Sequence, residues 1–486
     1  MTETILVIDE GTTSTRAMLF SVTGECLGCA QEELTQYYPA PGHVEHDARE
    51  IWEKTLACAR TMVTQAGGPS RIAALGLTNQ RETVVAWDRR TGEPIGRAIV
   101  WQDRRTAEMC ASLRAAGQEP VVQAKTGLLL DPYFSGTKLS GMLRNRSELT
   151  DAGDHLALGT IDSYLIHRLT GGLHVTDATN ASRTMLMALD GAGWDHELLG
   201  MFGVPATALP EIVDCAGDLG ETLPELFGRP IPIRGCAGDQ QAATIGQACL
   251  QPGDTKATFG TGAFILANAG AKVPRSGHRL LSTVLCQLGG KRLFALEGSV
   301  FVAGSLIKWL RDELRLLASA EETATLAPSV PDNGGVYLVP ALSGLGAPHW
   351  RPEARGQLTG LSFATTRAHI ARAALEAMAY QAHDLKQAFA GDGVDWARLR
   401  IDGGMAVNDW MAQDLADMLD LVVERPASVE TTALGAAMLA GVGVGLFGSL
   451  EEAAGMRGGL REFRPGIDQA ARAMRLEGWK RALAQV

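Results

Sequence analysis

ILVIDEGTTSTRAMLF, residues 5–20, is the stretch whose reading decides how this chain folds. Ile5 to Ile8 form an apolar run of buried-strand length. Asp9 and Glu10 end that run in acid. A turn of Gly11, Thr12, Thr13, Ser14 and Thr15 follows, then Arg16, and the chain returns as the apolar run Ala17–Phe20. Strand, tight polar turn and strand read as a β-hairpin. A turn of glycine and hydroxyl residues offers N–H and O–H donors with little bulk, which suits phosphate oxygens. The acid before it suits a hydrated Mg²⁺, which prefers carboxylate and phosphate ligands. An ordinary hairpin, its Thr and Ser side chains bonded to their own backbone, accounts for the same residues.

Working outward, residues 22–25 are a turn and 29–37 a third strand, which makes an antiparallel meander. Asp47 stands three residues before Glu50, as in a capping box. Ile51, Trp52, Leu56, Ala59, Met62 and Val63 recur at helical spacing, so residues 48–65 form a helix. A strand over 72–77 follows. Three antiparallel strands, a helix and a further strand give a mixed α/β domain rather than a uniform βαβ fold. The theme returns at 256–267, KATFGTGAFILA, where an apolar strand again runs into a Gly/Thr turn and back. Two such hairpins point to two similar halves, with a boundary near Pro252.

At 486 residues the chain is long enough for two or three domains. A net charge of −11 gives no ground for nucleic-acid binding. Eight cysteines include one CxxC, at 26–29, with no second pair to complete a zinc site. Reduced thiols and an N-terminus without a basic leader place the protein in the cytoplasm. Residues 431–450 carry no charge, but five glycines argue for a buried helix and a Gly-rich turn rather than a membrane span.

Several polar clusters fall at strand ends. TNQRET at 78–83 packs two amides with Arg81 and Glu82 between apolar strands, a mixture that fits the hydroxyls of a neutral polyol. A surface Arg–Glu pair is the plain alternative. Trp101 walls a pocket or fills the core; Tyr133 offers its hydroxyl to a ligand or is simply half buried. Asp239 follows a strand, sits among small residues and precedes a helix. It is a helix cap or a general base in a cleft. The turn Gly403-Gly404 lets backbone approach a nucleotide. That turn carries neither GxGxxG nor GxxxxGK[ST], so Rossmann and P-loop readings fail there.

Taken together, DEGTTSTR (9–16), TNQRET (78–83), WQDRRTAE (101–108), DPYFSGTK (131–138), TDATNASRTML (176–186), GDQQAA (238–243), GTGAF (260–264), LEGSVFVAG (296–304), GLGAPHW (344–350), DGGMAVN (402–408) and ETTALGAA (430–437) resemble the FGGY carbohydrate kinase family, and within it the members that act on glycerol. The resemblance implies an α/β fold of two ribonuclease H-like domains, of the actin and hexokinase type, with the active site in the cleft between them. Residues 1–251 would form the domain that holds glycerol and phosphate, and 252–486 the nucleotide domain. It implies ATP-dependent phosphorylation of glycerol to sn-glycerol 3-phosphate with Mg²⁺, in a protein expected to be a dimer or tetramer.

On matching positions, Arg81, Glu82, Tyr133, Asp239 and Gln240 would hold the glycerol hydroxyls. Trp101 and Phe264 would cover its carbons, and Asp239 would be the base. Thr12, Thr13, Ser14, Arg16 and Thr261 would meet phosphates. Gly304, Lys308, Gly404 and Asn408 would lie along the nucleotide, and Asp9 would place Mg²⁺. Glu10 and Lys308 depart from the family's usual glutamines. The compact 226–233 stretch lacks the loop that binds fructose 1,6-bisphosphate in some enteric relatives. A pentulose kinase and an actin- or Hsp70-like nucleotide switch are the rival readings.

Overall fold

The computed structural model describes residues 3–351, 353–428 and 430–486. The opening hairpin forms from β1 (Thr4–Glu10) and β2 (Ser14–Ser21), with Asp9 opposite Arg16 and Glu10 opposite Thr15. β3 (Cys26–Glu33) completes the meander. Its span differs from the expected 29–37 because the turn after β2 sets the register, and the backbone of Leu34 leaves the ladder to bond Thr13 O at 2.8 Å. Helix α1 (Ala48–Gln65) lies where its apolar spacing puts it. Asp47 caps it through Arg49 N, while Glu50 turns away to Thr35 and Lys54, so no capping box forms. β4 (Ile72–Asn79) then pairs parallel with β1, and β5 (Ile233–Gly238) parallel with β4. The sheet order is β5-β4-β1-β2-β3.

The second half repeats this plan. β6 (Asp254–Phe259) and β7 (Ala263–Gly270) form its hairpin. β8 (Leu281–Leu288) and β9 (Lys291–Val300) extend it antiparallel, with β9 beside β7. β10 (Arg398–Asp402) pairs parallel with β6, β11 (Val423–Pro426) parallel with β10, and β12 (Leu460–Phe463) closes the edge. The helix that follows spans Gly304–Asp312 and starts no earlier because Val300 stays in the sheet opposite Ala263. Pairing with a strand more than thirty residues away outweighs local helical spacing there.

Two helices join the halves. One, Asp239–Gly246, starts directly at the end of β5. The other, Thr431–Gly443, is the uncharged stretch of the sequence. It lies buried against that helix and against β1, β4 and β5, so late residues complete the core of the first sheet. Among the described residues no helix is long and apolar enough to cross a membrane.

Asp162 opens a helix (Ile161–Thr170) packed behind the first sheet and is fully buried. Burial, then the charge of Asp177, pushes its carboxyl up to about 7 despite hydrogen bonds from Thr160 at 2.5 Å and Thr176 at 2.6 Å. Between the ordinary value of about 4 and 7, the folded state keeps a proton that the unfolded state has lost. Its stability is therefore full at low pH and falls as pH rises through this window. Asp162→Asn should be more stable than the parent by a margin that grows by up to about 1.4 kcal/mol per pH unit across it. Urea unfolding of both proteins between about pH 5 and 7.5 checks this; a margin independent of pH would refute it.

Candidate active site

The strand ends of both sheets and the start of the helix Asp239–Gly246 meet at one recess. It is lined by Thr12, Arg81, Glu82, Trp101, Tyr133, Asp239, Gln240 and Phe264. All seven residues expected around a polyol are thus in one place, joined by Thr12 of the phosphate hairpin. The space open to water centres is about 50 Å³, room for roughly four waters, so the pocket suits a molecule of a few heavy atoms.

Asp239 is the first residue of its helix and does not cap it from outside. Its Oδ1 accepts from its neighbour's amide, Gln240 N, at 2.6 Å and faces Arg81 Nε at 3.1 Å. Its Oδ2 keeps only a 3.5 Å contact with Gln240 Nε2. One oxygen is anchored and the other is left for a ligand. The side chain is 34% exposed, in a site whose other charged groups are almost fully buried. Gln240 is held by Lys256, whose ammonium donates to Gln240 Oε1 at 2.6 Å and Thr258 Oγ1 at 2.8 Å. Burial lowers the pKa of that ammonium.

Arg81 and Glu82 are 3% and 1% exposed, so the surface-pair alternative does not hold. Glu82 adopts φ +62°, a left-handed conformation unusual outside glycine. Such strain is kept only where surrounding contacts impose it. Arg183 and Glu297 supply those contacts, and neither was assigned chemistry from sequence. The available signals were an arginine within a run of small polar residues and a lone acid inside the apolar strand β9. Burial raises the Glu82 carboxyl against the pull of Arg81 and Arg183. Burial also acts to raise Glu297, but Arg183 and Arg81 outweigh it and hold Glu297 down at about 2.

Trp101 is half-buried and its indole donates to Thr12 Oγ1 at 2.9 Å, tying the polyol recess to the phosphate hairpin. Its ring meets Tyr133 edge-on, with centroids 5.6 Å apart. Phe264, also half-buried, comes from β7 of the other half. Thr12, Thr13 and Ser14 stay at least partly open at the hairpin tip. Arg16 pairs with Asp9 and with Glu430 at 2.8 Å. Burial raises the Asp9 carboxyl, and the charges of Asp239 and Glu430 raise it further against Arg16. Two carboxylates, Asp9 and Glu430, on the one guanidinium of Arg16 leave negative charge uncompensated, and hard oxygen donors of this kind fit Mg²⁺. Glu10 points away from the recess. It is fully buried, accepts from Gln80 Nε2 at 3.1 Å, and has its pKa raised well above the ordinary value by burial.

On the far side, Thr261 is exposed at the tip of the second hairpin. Its carbonyl accepts from Ser305 N at 3.1 Å and Ser305 Oγ at 2.9 Å, so the hairpin docks on the start of the helix Gly304–Asp312. A Cβ on Gly304 would come 2.6 Å from Gly260 O. Lys308 is exposed one turn along that helix. Gly404 is exposed at the end of β10, while Asn408 caps the helix Asp409–Leu419 through Met411 N at 3.1 Å.

Residues 4–246 match the N-terminal domain, and 255–444 the C-terminal domain, of the FGGY family of carbohydrate kinases. The chain is 53% identical to a glycerol kinase from Rhodospirillum centenum, covering 99% of this chain and 97% of that one. It is 54% identical to a glycerol kinase from Gluconobacter oxydans, covering 99% and 94%. Among solved structures it is similar to Plasmodium falciparum glycerol kinase with ADP, at a TM-score of 0.94, 34% identity, and coverage of 100% and 98%. The gluconate kinase of Lactobacillus acidophilus, at 21% identity and a TM-score of 0.89, shares the fold.

Proposed function

The chain belongs to the FGGY family of carbohydrate kinases, and we propose that it transfers the γ-phosphoryl group of ATP to a terminal hydroxyl of glycerol, giving sn-glycerol 3-phosphate and ADP. The observation that carries this is the small recess that gathers Arg81, Glu82, Tyr133, Asp239 and Gln240 under two aromatic rings, directly beside Thr12. Each polar group there can meet a hydroxyl that both donates and accepts. Trp101 and Phe264 face the carbons.

Phosphoryl transfer asks mainly for positioning and for neutralised charge. Asp239 Oδ2 takes the proton of the attacking hydroxyl, while Arg81 and Gln240 N hold Oδ1 and so fix the direction of Oδ2. Thr12, Thr13, Ser14 and Arg16 receive phosphate oxygens from one half and Thr261 from the other. Gly304, Lys308, Gly404 and Asn408 line the path of the nucleotide. Asp9 would hold Mg²⁺, which would supply positive charge to neutralise the phosphates. In this scheme residues 1–251 hold polyol and phosphate and 252–486 hold the nucleotide. The protein works in the cytoplasm as a dimer or tetramer.

Specificity follows from the recess. A wrong hydroxyl pattern leaves buried groups unpaired, which discriminates strongly. The expected result is a kcat/KM for glycerol at least about 10²-fold above those for xylulose and gluconate, measured by coupled ADP release with and without each substrate. Comparable values for a pentulose would overturn the glycerol assignment. Slow ATP hydrolysis indifferent to any polyol would favour a nucleotide switch instead.

A further inference from the structure

Behind the recess, four charged side chains close a ring that is at most 3% exposed at any member. Arg183 Nε donates to Glu82 Oε1 at 2.6 Å, and Arg183 Nη2 to Glu297 Oε1 at 3.0 Å. Arg81 Nη1 donates to Glu297 Oε2 at 2.6 Å, and Arg81 Nε lies 4.0 Å from Glu82 Oε1. Two positive and two negative charges balance. Arg81, Glu82 and Arg183 come from the first half of the chain; Glu297 comes from β9 of the second. Arg183 and Glu297 do not line the recess. The Arg183 guanidinium lies over the rings of Tyr133 and Phe134, 5.7 and 5.3 Å from their centroids.

A buried ionic cluster is a weak way to stabilise a fold, because apolar replacements of similar volume are often as stable. Its geometry points elsewhere. Both side chains that would select hydroxyls, Arg81 and Glu82, are held from behind by these two residues. We propose, building on the glycerol kinase reading above, that Arg183 and Glu297 are positioning residues for the polyol. They fix the donor of Arg81 and the acceptor of Glu82, and they make that arrangement depend on contact between the halves. Without Glu297, Arg81 loses its 2.6 Å hydrogen bond, keeps Asp239 at 3.1 Å and only longer contacts of 3.4–4.0 Å to Tyr133, Gln241 and Glu82, and is free to turn onto the base. Without Arg183, Glu82 loses its one short hydrogen bond.

The test compares Glu297→Gln, Arg183→Met and the double variant Arg183→Met/Glu297→Met with the parent. Steady-state kinetics with varied glycerol at saturating MgATP, melting temperature and MgADP affinity are measured for each. The single variants leave a charge unpaired, so each should melt lower and show a glycerol KM raised roughly 10–100-fold. The double variant restores charge balance, so it should regain the parent's melting temperature while its KM stays raised. MgADP affinity should hold within about twofold throughout. A glycerol KM that recovers together with melting temperature in the double variant, or is lost together with it, assigns the ring a structural role and overturns the proposal. So does a Glu297→Gln enzyme with the parent's KM. A parent that does not phosphorylate glycerol counts against the proposed function, not against the ring.

Discussion

Asp239→Asn should lower kcat for glycerol by about 10²–10⁴-fold, the span usual for loss of a general base, with little change in melting temperature or MgATP affinity. The attacking hydroxyl carries a proton that becomes acidic only as the bond to phosphorus forms. Something must accept it at that moment. In the recess the carboxylate of Asp239 has one oxygen anchored by Arg81 and Gln240 N and the other free. Asn keeps the shape and the contact from Gln240 N. It cannot take the proton. Because Asp239 is the first helical residue rather than the cap, and its side chain is a third exposed, the fold loses little. Measured turnover within a few-fold of the parent would show that another group, or solvent, accepts the proton. A large fall in melting temperature would mean that the residue holds the helix rather than the reaction.

Gly435→Ala should disable the enzyme from a position outside the recess. The helices Asp239–Gly246 and Thr431–Gly443 cross at Gly435 and Gly246. A Cβ on Gly435 would lie 1.8 Å from Ala242 O, and one on Gly246 1.9 Å from Thr431 O. Both obstacles are backbone, so no side chain can move aside; the helices themselves must separate. Overpacking of this kind costs about 1–3 kcal/mol or more. The first of those helices carries Asp239 and Gln240 at its start. Moving it displaces the base from the attacking hydroxyl, and a misplacement of about 1 Å is enough to cost around 10²-fold. Both kcat and melting temperature should therefore fall. Gly200→Ala is the control: a Cβ there meets nothing within 4 Å in the helix His196–Phe202, and should add roughly 0.5–1 kcal/mol of stability. Equal effects at Gly435 and Gly200 would refute the close-packing argument.

Local chemistry in the chain was enough to place the opening hairpin, helix Ala48–Gln65 and the second hairpin, because apolar spacing and turn residues act over a few positions. It also marked Arg81, Glu82 and Asp239 as polar groups where a strand end has no ordinary use for them. Ambiguity remained wherever one residue fits two roles locally. Asp239 can cap or catalyse, and Trp101 can fill a core or wall a site; only the neighbours brought in by folding separate these.

What the tertiary structure alone decided depends on residues far apart in sequence. The end of β9 at Val300 is set by its partner Ala263, and the helix Thr431–Gly443 belongs with the first sheet, although it follows β1 by more than four hundred residues. The ring of Arg81, Glu82, Arg183 and Glu297 spans 216 positions between Arg81 and Glu297. No periodicity or turn signal reports such a contact. The sequence alone determined where the two hairpins and helix Ala48–Gln65 form, through backbone sterics and apolar patterning. Which charges face one another was decided by the packing of two sheets, because burial makes an unpaired charge too costly to leave in place.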